Sequence, residues 1–362
     1  MATLTGLRRE RAHASRQFRD GIFHNTGGAR PGLKGNPLPI LGEFFFGGAE
    51  RRPSVTLPVE SPLAAWARPL SADAHGLRIT WLGHSTMLLE SNGVRVLTDP
   101  VFGKRASPLS FAGPRRFHPV PATIAELPPL DAVLLSHDHY DHLCVESIRE
   151  LAQLRVPFVT SLGVGAHLER LGVEPALISE LDWFEQHALT GRGGALAFTA
   201  TPAQHFSGRG LGDRNTTLWS SWVIQTDRHK LFFSGDTGLT DEFSLIGAKY
   251  GPFDVTMLEI GAWNKAWGDI HLGPENALHA FQMLGGGTLL PVHWGTFDLA
   301  LHAWNEPAET LLALAEPARA RVLTPLLGRP FEPTLVEGPT PWWRNLGAEV
   351  SGAGELATSA RR

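Results

Sequence analysis

The chain has 362 residues, of which 43% are hydrophobic and 19% charged, and its formal net charge is −4. That composition describes a globular protein with a large core and excludes the excess of cations that a nucleic-acid binder carries over its length. Cys144 is the single cysteine, which excludes an internal disulfide and leaves any metal site to His and carboxylates.

Residues 1–70 are rich in Arg, Gly and Pro, show weak periodicity and read as an N-terminal extension. Within residues 1–34, Arg8, Arg9, Arg11, Arg16, Arg19, Arg30 and Lys34 face only Glu10 and Asp20. Two readings stand for this segment: a disordered or wrapping arm, or an arm that touches anionic lipid headgroups with Phe44, Phe45 and Phe46 as an apolar foot. No stretch has the order of a secretory signal, and no apolar run is long enough to span a bilayer. The expectation is a cytoplasmic protein, with peripheral membrane contact through the arm as its extension.

From about residue 77 the pattern changes. LRITWLGHSTMLLES (77–91) and VRVLTDPVF (94–102) are rich in strand formers and are joined by a hairpin-like turn. DAVLLSHDH (131–139) predicts a short buried strand that runs into a crowd of histidines, and CVESIRELAQL (144–154) has helical spacing. Further strands are predicted at 195–205, 220–227, 230–238, 253–261 and 288–295, and helices at 274–284 and 306–319. Strands with interspersed helices suggest layered sheets and helices in one α/β unit over residues 71–335, followed by a C-terminal tail at 336–362.

Within SHDHYDHL (136–143), His137, His139 and Asp141 alternate and His142 follows. In a loop leaving a strand, alternate residues face one way and His142 another, so one short peptide can serve two metal ions. Zinc prefers about four ligands and a catalytic site keeps one position open, which argues against a single ion using all four. His205, Asp236 and His293 each end an apolar, strand-like run, and rigid strands deliver such residues to one loop-bearing edge. The expected arrangement is His137, His139 and His205 on one ion, Asp141, His142 and His293 on the other, and Asp236 bridging them. Two divalent ions, two carboxylates and a shared hydroxide leave a single positive charge, which favours a phosphodiester anion. His84 and Asp99 read as turn residues or as hydrogen-bonding supports of the ligands. Trp263 and Trp267 are expected in core packing, with an acyl groove as the alternative.

WLGHST (81–86), LTDPVFGKRASP (97–108), GPRRF (113–117), SHDHYDHL, SGDTG (234–238), GPFD (251–254) and HWGTF (293–297) occur in this order. Together they resemble the metallo-β-lactamase superfamily and, within it, N-acylphosphatidylethanolamine-hydrolysing phospholipase D and its bacterial relatives, over roughly residues 75–310. The resemblance implies a metallo-β-lactamase fold, a four-layered αβ/βα sandwich of the α/β class with the metals at one edge. It implies two zinc ions, with iron or manganese as alternatives, on the same seven residues: His137, His139, Asp141, His142, His205, Asp236 and His293. It implies substrate contacts at Tyr140 and His271, catalytic roles for Asp141, Asp236 and His271, and cleavage of a phospholipid to phosphatidic acid and an N-acylethanolamine. Asp138 stands where the mammalian enzyme has Asn, and reads as a solvated neighbour or a proton acceptor.

Other readings lead elsewhere. A hydrolase of the same fold would act on a soluble ester, lactone or cyclic phosphate, and a non-enzymatic metal-dependent sensor needs the ligands but no turnover. Di-iron relatives place Glu where His139 stands, which disfavours a redox role. The oligomeric state stays open, with a homodimer among the alternatives.

Overall fold

Parity along the strands decides the architecture. In the segment 86–91, Met87 and Leu89 join one apolar cluster while Leu88 joins another; in 132–135, Ala132 and Leu134 part from Val133 and Leu135 in the same way. Successive side chains point to opposite faces of a strand, so both faces of these strands are covered. Each fully buried aliphatic side chain contributes about 1.5–3 kcal/mol.

The computed structural model describes residues 4–28, 48–71, 75–109, 111–210, 212–264, 267 and 270–346. Phe44, Phe45 and Phe46 of the expected apolar foot lie outside them, as does the tail beyond residue 346. After a short N-terminal hairpin, β1 (Phe18–Arg19) and β2 (Ile22–Phe23), the chain builds two seven-stranded sheets. The first runs in chain order through β3 (Leu77–Gly83), β4 (Thr86–Ser91), β5 (Val94–Thr98), β6 (Ala132–Leu134), β7 (Phe158–Ser161) and β8 (Ile178–Leu181). The second runs through β9 (Gln186–Gly191), β10 (Gly194–Thr201), β11 (Ser221–Thr226), β12 (Lys230–Phe233), β13 (Val255–Glu259), β14 (Thr288–Val292) and β15 (Arg321–Val322). The last strand, β16 (Pro330–Phe331), returns to pair antiparallel with β3.

The helices are α1 (Gly6–Ala14), α2 (Leu63–Trp66), α3 (Val145–Gln153), α4 (Gly165–Arg170), α5 (Glu242–Tyr250), α6 (Gly273–Met283) and α7 (Glu306–Ala318). Ile148 and Leu151 of α3, Leu168 of α4 and Trp66 of α2 cover the outer face of the first sheet with Leu88, Leu97 and Val133. Phe243 of α5, Phe281 of α6 and Leu311 of α7 belong to the large cluster that also fills the space between the sheets. The result is the expected four-layered metallo-β-lactamase sandwich. Pro274 in the first turn of α6 fits a helix start, where a missing N–H costs nothing.

Residues 4–28 and the described residues after 335 are bound into this body more tightly than their composition suggests. Ala12 and Phe23 are fully buried with Leu162, Trp183 and Trp219. Arg8 pairs with Glu169 at 2.8 Å and also with Glu180, and Arg11 pairs with Glu185. This arm therefore wraps. Beyond residue 335, Trp343 is buried in the main cluster and its ring lies 5.0 Å from that of Trp294. No helix among the described residues is long and apolar enough to cross a membrane.

Candidate metal centre

In both sheets the strands that end at this site run parallel, β5 to β8 in one and β12 to β15 in the other. Crevices beyond the carboxyl ends of parallel strands are where α/β proteins place their sites. The His137–His142 segment leaves β6, Asp236 follows β12, and His293 follows β14 directly; His205 lies beyond β10. Tight backbone makes these exits possible. Gly235 has φ +54°, and a Cβ there would lie 2.5 Å from Ser136 Cβ. His84, Asp99 and His293 also occupy the left-handed region, at φ +54°, +33° and +65°, a conformation that costs a non-glycine residue about 1–3 kcal/mol and that clusters at functional sites.

All seven expected ligands come together at this edge. His139 Nδ1 lies 2.9 Å from His137 Nε2 and 3.2 Å from His205 Nε2. Asp236 Oδ2 lies 3.8 and 3.7 Å from the Nε2 atoms of His137 and His205. The same oxygen lies 3.1 Å from His142 Nε2 and 3.2 Å from His293 Nε2. Asp141 Oδ2 completes that second group, 3.6 Å from His142 Nε2 and 3.3 Å from His293 Nε2. The donor atoms of His137, His139, His205 and Asp236 all lie within 4.8 Å of one another, as do those of His84, Asp141, His142 and His293 and those of Asp236, Glu259, His271 and His293.

The outer ring nitrogens of His137, His142 and His205 are fixed from behind. His142 Nδ1 donates to Asp99 Oδ2 at 2.6 Å, and His205 Nδ1 donates to the Ile270 carbonyl at 2.9 Å. The Ser136 hydroxyl donates to Asp99 at 2.6 Å, so its oxygen accepts from His137 Nδ1 at 2.9 Å. Each imidazole is thereby held in the tautomer that turns the Nε2 lone pair inward. His142 Nε2, His293 Nε2 and Asp236 Oδ1 are buried there without a hydrogen-bond partner. Buried polar atoms without partners are costly, and aimed at one space they fit a pair of divalent cations.

The protein alone places strained charge here. Burial holds His137 and His205 well below the usual imidazole pKa. Burial works against the imidazolium of His142 and His293 too, but Asp236 with its neighbouring carboxylates outweighs it, and His293 is raised to about 10. Asp141 and Asp236 stay well below the carboxylate range despite burial, because His142, His293 and, for Asp141, His84 surround them.

Other residues fall differently from expectation. Asp99 supports His142 as expected, whereas His84 Nε2, 3.1 Å from Asp141 Oδ2, stands among the donor atoms of Asp141, His142 and His293 themselves. Asp138 is neither solvated nor turned toward the ligands: it is fully buried, accepting from Gly208 N at 2.9 Å and from Thr217 Oγ1 at 3.0 Å, with His167 Nε2 3.4 Å away. An alternating segment at a strand exit sends every second side chain away from the edge, and Asp138 points back into the body. Tyr140 donates its hydroxyl to the Arg209 carbonyl at 3.1 Å, and the Arg209 guanidinium lies 3.8 Å over its ring. Trp263 and Trp267 are half-buried rather than core; the Trp267 ring is 6.5 Å from that of His271.

His271 flanks the centre, its ring 5.1 Å from His205 and 5.4 Å from His293. Its Nδ1 donates to Glu259 Oε2 at 2.7 Å. Burial opposes a charged His271, but Glu259 wins and raises its pKa. Glu259 itself is fully buried, accepting from Thr237 N at 2.7 Å and Leu272 N at 3.3 Å. It was missed in the sequence, although one carboxylate inside the apolar run VTMLEIG was a usable signal. Asn25 was missed as well: its amide grips the His205 backbone in both directions, at 2.9 and 3.0 Å.

Residues 94–294 match the family model described as a β-lactamase superfamily domain. The chain is 46% identical over 336 residues to an uncharacterised protein of Mycobacterium tuberculosis, covering 91% of this chain and 88% of that one. It is 35% identical over 307 residues to N-acyl-phosphatidylethanolamine-hydrolyzing phospholipase D 1 of Caenorhabditis elegans, covering 81% of this chain and 85% of that one. Among solved structures, a metallo hydrolase of Ignicoccus hospitalis aligns with a TM-score of 0.54 at 24% identity, over 70% of this chain and 97% of that one.

Proposed function

The chain belongs to the β-lactamase superfamily and is related to N-acyl-phosphatidylethanolamine-hydrolysing phospholipase D, and from that premise we propose that it is a dinuclear zinc phosphodiesterase that releases N-acylethanolamine from N-acylphosphatidylethanolamine. The observation that carries the reading is the place of Asp236 Oδ2, 3.8 and 3.7 Å from His137 and His205 on one side and 3.1 and 3.2 Å from His142 and His293 on the other. His137, His139 and His205 would hold one ion, Asp141, His142 and His293 the other, with Asp236 common to both. Imidazole and carboxylate suit zinc, and they accept iron and manganese as well. When bound, such a pair supplies an activated water and neutralises charge on the phosphoryl oxygens.

The chain's own residues supply the rest. Glu259 retains the proton on His271 Nδ1, and the His271 ring stands 5.1 Å from that of His205. As an imidazolium, His271 donates from Nε2 to a phosphoryl oxygen and favours the anion. Tyr140, braced by Arg209, lies within the ligand segment and is assigned to the substrate's phosphate. His84 orients the Asp141 carboxylate. Because the ligands stand on rigid strand ends, little reorganisation is needed at the moment of reaction.

The test is a chelator-controlled assay of purified protein on N-acylphosphatidylethanolamine, bis(p-nitrophenyl) phosphate and an acyl-homoserine lactone. The expected result is cleavage of the two phosphodiesters, lost on chelation and restored by zinc. Turnover of the lactone alone would sink the phosphodiester reading, and absence of turnover on all three would leave a metal-dependent sensor.

A further inference from the structure

Behind the metal centre, past Phe297, lies a second cavity of about 660 Å³. Phe102, Phe117 and Val120 give it apolar wall; Lys104, Arg115 and Arg116 give it charge. Arg52 at the same cavity is neutralised by Asp298 at 2.9 Å. Among the described residues, Lys104, Arg115 and Arg116 have no carboxylate partner.

Arg116 is the unusual member. It is 8% exposed, and its guanidinium donates to the Val101 and Gly103 carbonyls and packs 5.0 Å from the Phe297 ring centroid. Its Nη1 is buried with no partner. Gly83 makes room for it, since a Cβ at that position would come within 2.8 Å of Nη1. A cation buried without a counter-charge is costly, and burial lowers its pKa to about 10. Arg116 lines the cavity, so an anion there would offset part of that cost through its charge, without reaching Nη1.

The segment joining these cations points outward. Arg105 and Arg115 form a β-bridge at the base of a hairpin-like loop. Along it, Leu109 is 46% and Phe111 77% exposed. Exposed apolar side chains along a basic loop suit an interface with anionic lipid, which attracts Lys and Arg near its surface. The N-terminal arm is less suited, because Arg8 and Arg11 are already paired with Glu169, Glu180 and Glu185.

We propose that the 104–116 loop and the cavity beside it form a docking site for an anionic phospholipid of a bilayer surface. Lys104 and Arg115 meet the headgroup at the mouth, Arg116 supplies charge behind them, and Leu109 and Phe111 enter the acyl region. This site is distinct from the ligand cluster, and its test reads binding without turnover, so its failure would leave the phosphodiester reading standing.

The experiment is co-sedimentation of the full chain with vesicles of phosphatidylcholine alone or mixed with phosphatidylglycerol. Binding is expected only with phosphatidylglycerol present. The double variant K104E/R115E, at two exposed positions, should bind at least about tenfold more weakly. L109S/F111S should also weaken binding, and Arg116→Gln should do so with the surface charges intact; thermal unfolding establishes that each variant is folded. Equal binding to phosphatidylcholine alone would remove the headgroup from the proposal. Unchanged binding by both double variants would assign the contact to another surface. Binding of monomeric decanoate without binding of vesicles would make the cavity a soluble-ligand site. Any of these three results overturns the proposal.

Discussion

Glu259 is the residue on which His271 depends. Its carboxylate takes the His271 Nδ1 proton's hydrogen bond at 2.7 Å and two backbone N–H groups besides. Glu259→Gln keeps the shape and removes the charge that raises the His271 pKa. Turnover should fall roughly 10–100-fold, the range for orienting partners of a metal site, while metal content per chain stays the same. Equal loss of metal would instead make Glu259 a ligand. A second residue sets the response to acid. Burial, helped by Arg116, lowers the His118 pKa from 6.5 to about 3. The unfolded chain therefore binds this proton first as pH falls. His118 contributes no penalty above the unfolded pKa, and stability is lost progressively from there toward the folded pKa. At pH 5 the loss is roughly 2 kcal/mol. In His118→Gln, denaturant unfolding at pH 7 and pH 5 should show a drop smaller by about that amount; an unchanged drop would acquit His118.

At the scale of elements, the arm's role is concrete. The Asn25 side chain accepts from His205 N, donates to His205 O and accepts from Trp219 Nε1 at 3.0 Å. It thus ties the segment after β2 to the segment after β10. Asn25→Ala leaves buried backbone groups unpaired, which costs about 1–3 kcal/mol. The expected outcome is a lower melting temperature together with weaker retention of metal in a chelator competition. A melting shift without any change in retention would mean that the clasp serves stability alone. This contact also shows what sequence could and could not disclose. Of the seven expected ligands, His205, Asp236 and His293 were legible because each ends an apolar run, and His137, His139, Asp141 and His142 because they crowd into six positions after a strand. The strands at 77–91 and 94–102 were legible from β-formers around turn residues. Asn25 was not, since it sits 180 positions from its partner in an arm of weak periodicity. Nor was α5, whose Phe243 and Ile246 alone are buried among its nine residues. Asp138 misled for a different reason: a carboxylate between two ligands looks functional until the strand's alternation turns it inward, where Thr217 and Gly208 satisfy it.

For the whole molecule, the provenance of the ligands matters most. His137, His139, Asp141 and His142 follow a strand of the first sheet; His205, Asp236 and His293 follow strands of the second. Each ion would therefore tie the two sheets together at one edge, while at the opposite edge Ser91 bonds to Thr226 at 2.8 Å and to His229 at 2.7 Å, and Asp131 accepts from Arg192 N at 2.8 Å. Without cations, the donors are left as buried lone pairs and crowded charges, with His142 Nε2 and His293 Nε2 unpartnered. A ligand bound only by the folded state stabilises it by about 4 kcal/mol at a thousandfold excess over its dissociation constant. For a protein of this size that corresponds to roughly 5 °C in melting temperature. Chelation should therefore lower the melting point by about that much. Hydrogen exchange should locate the change: amides at Leu134–Leu143, Ser234–Thr237 and Val292–Gly295 should lose protection, while those at the far turn around Asn92 and Gly93 keep it. Uniform loss across both edges would mean that the ions stabilise the fold only by mass action, and the picture of a clamp between the sheets would have to be abandoned.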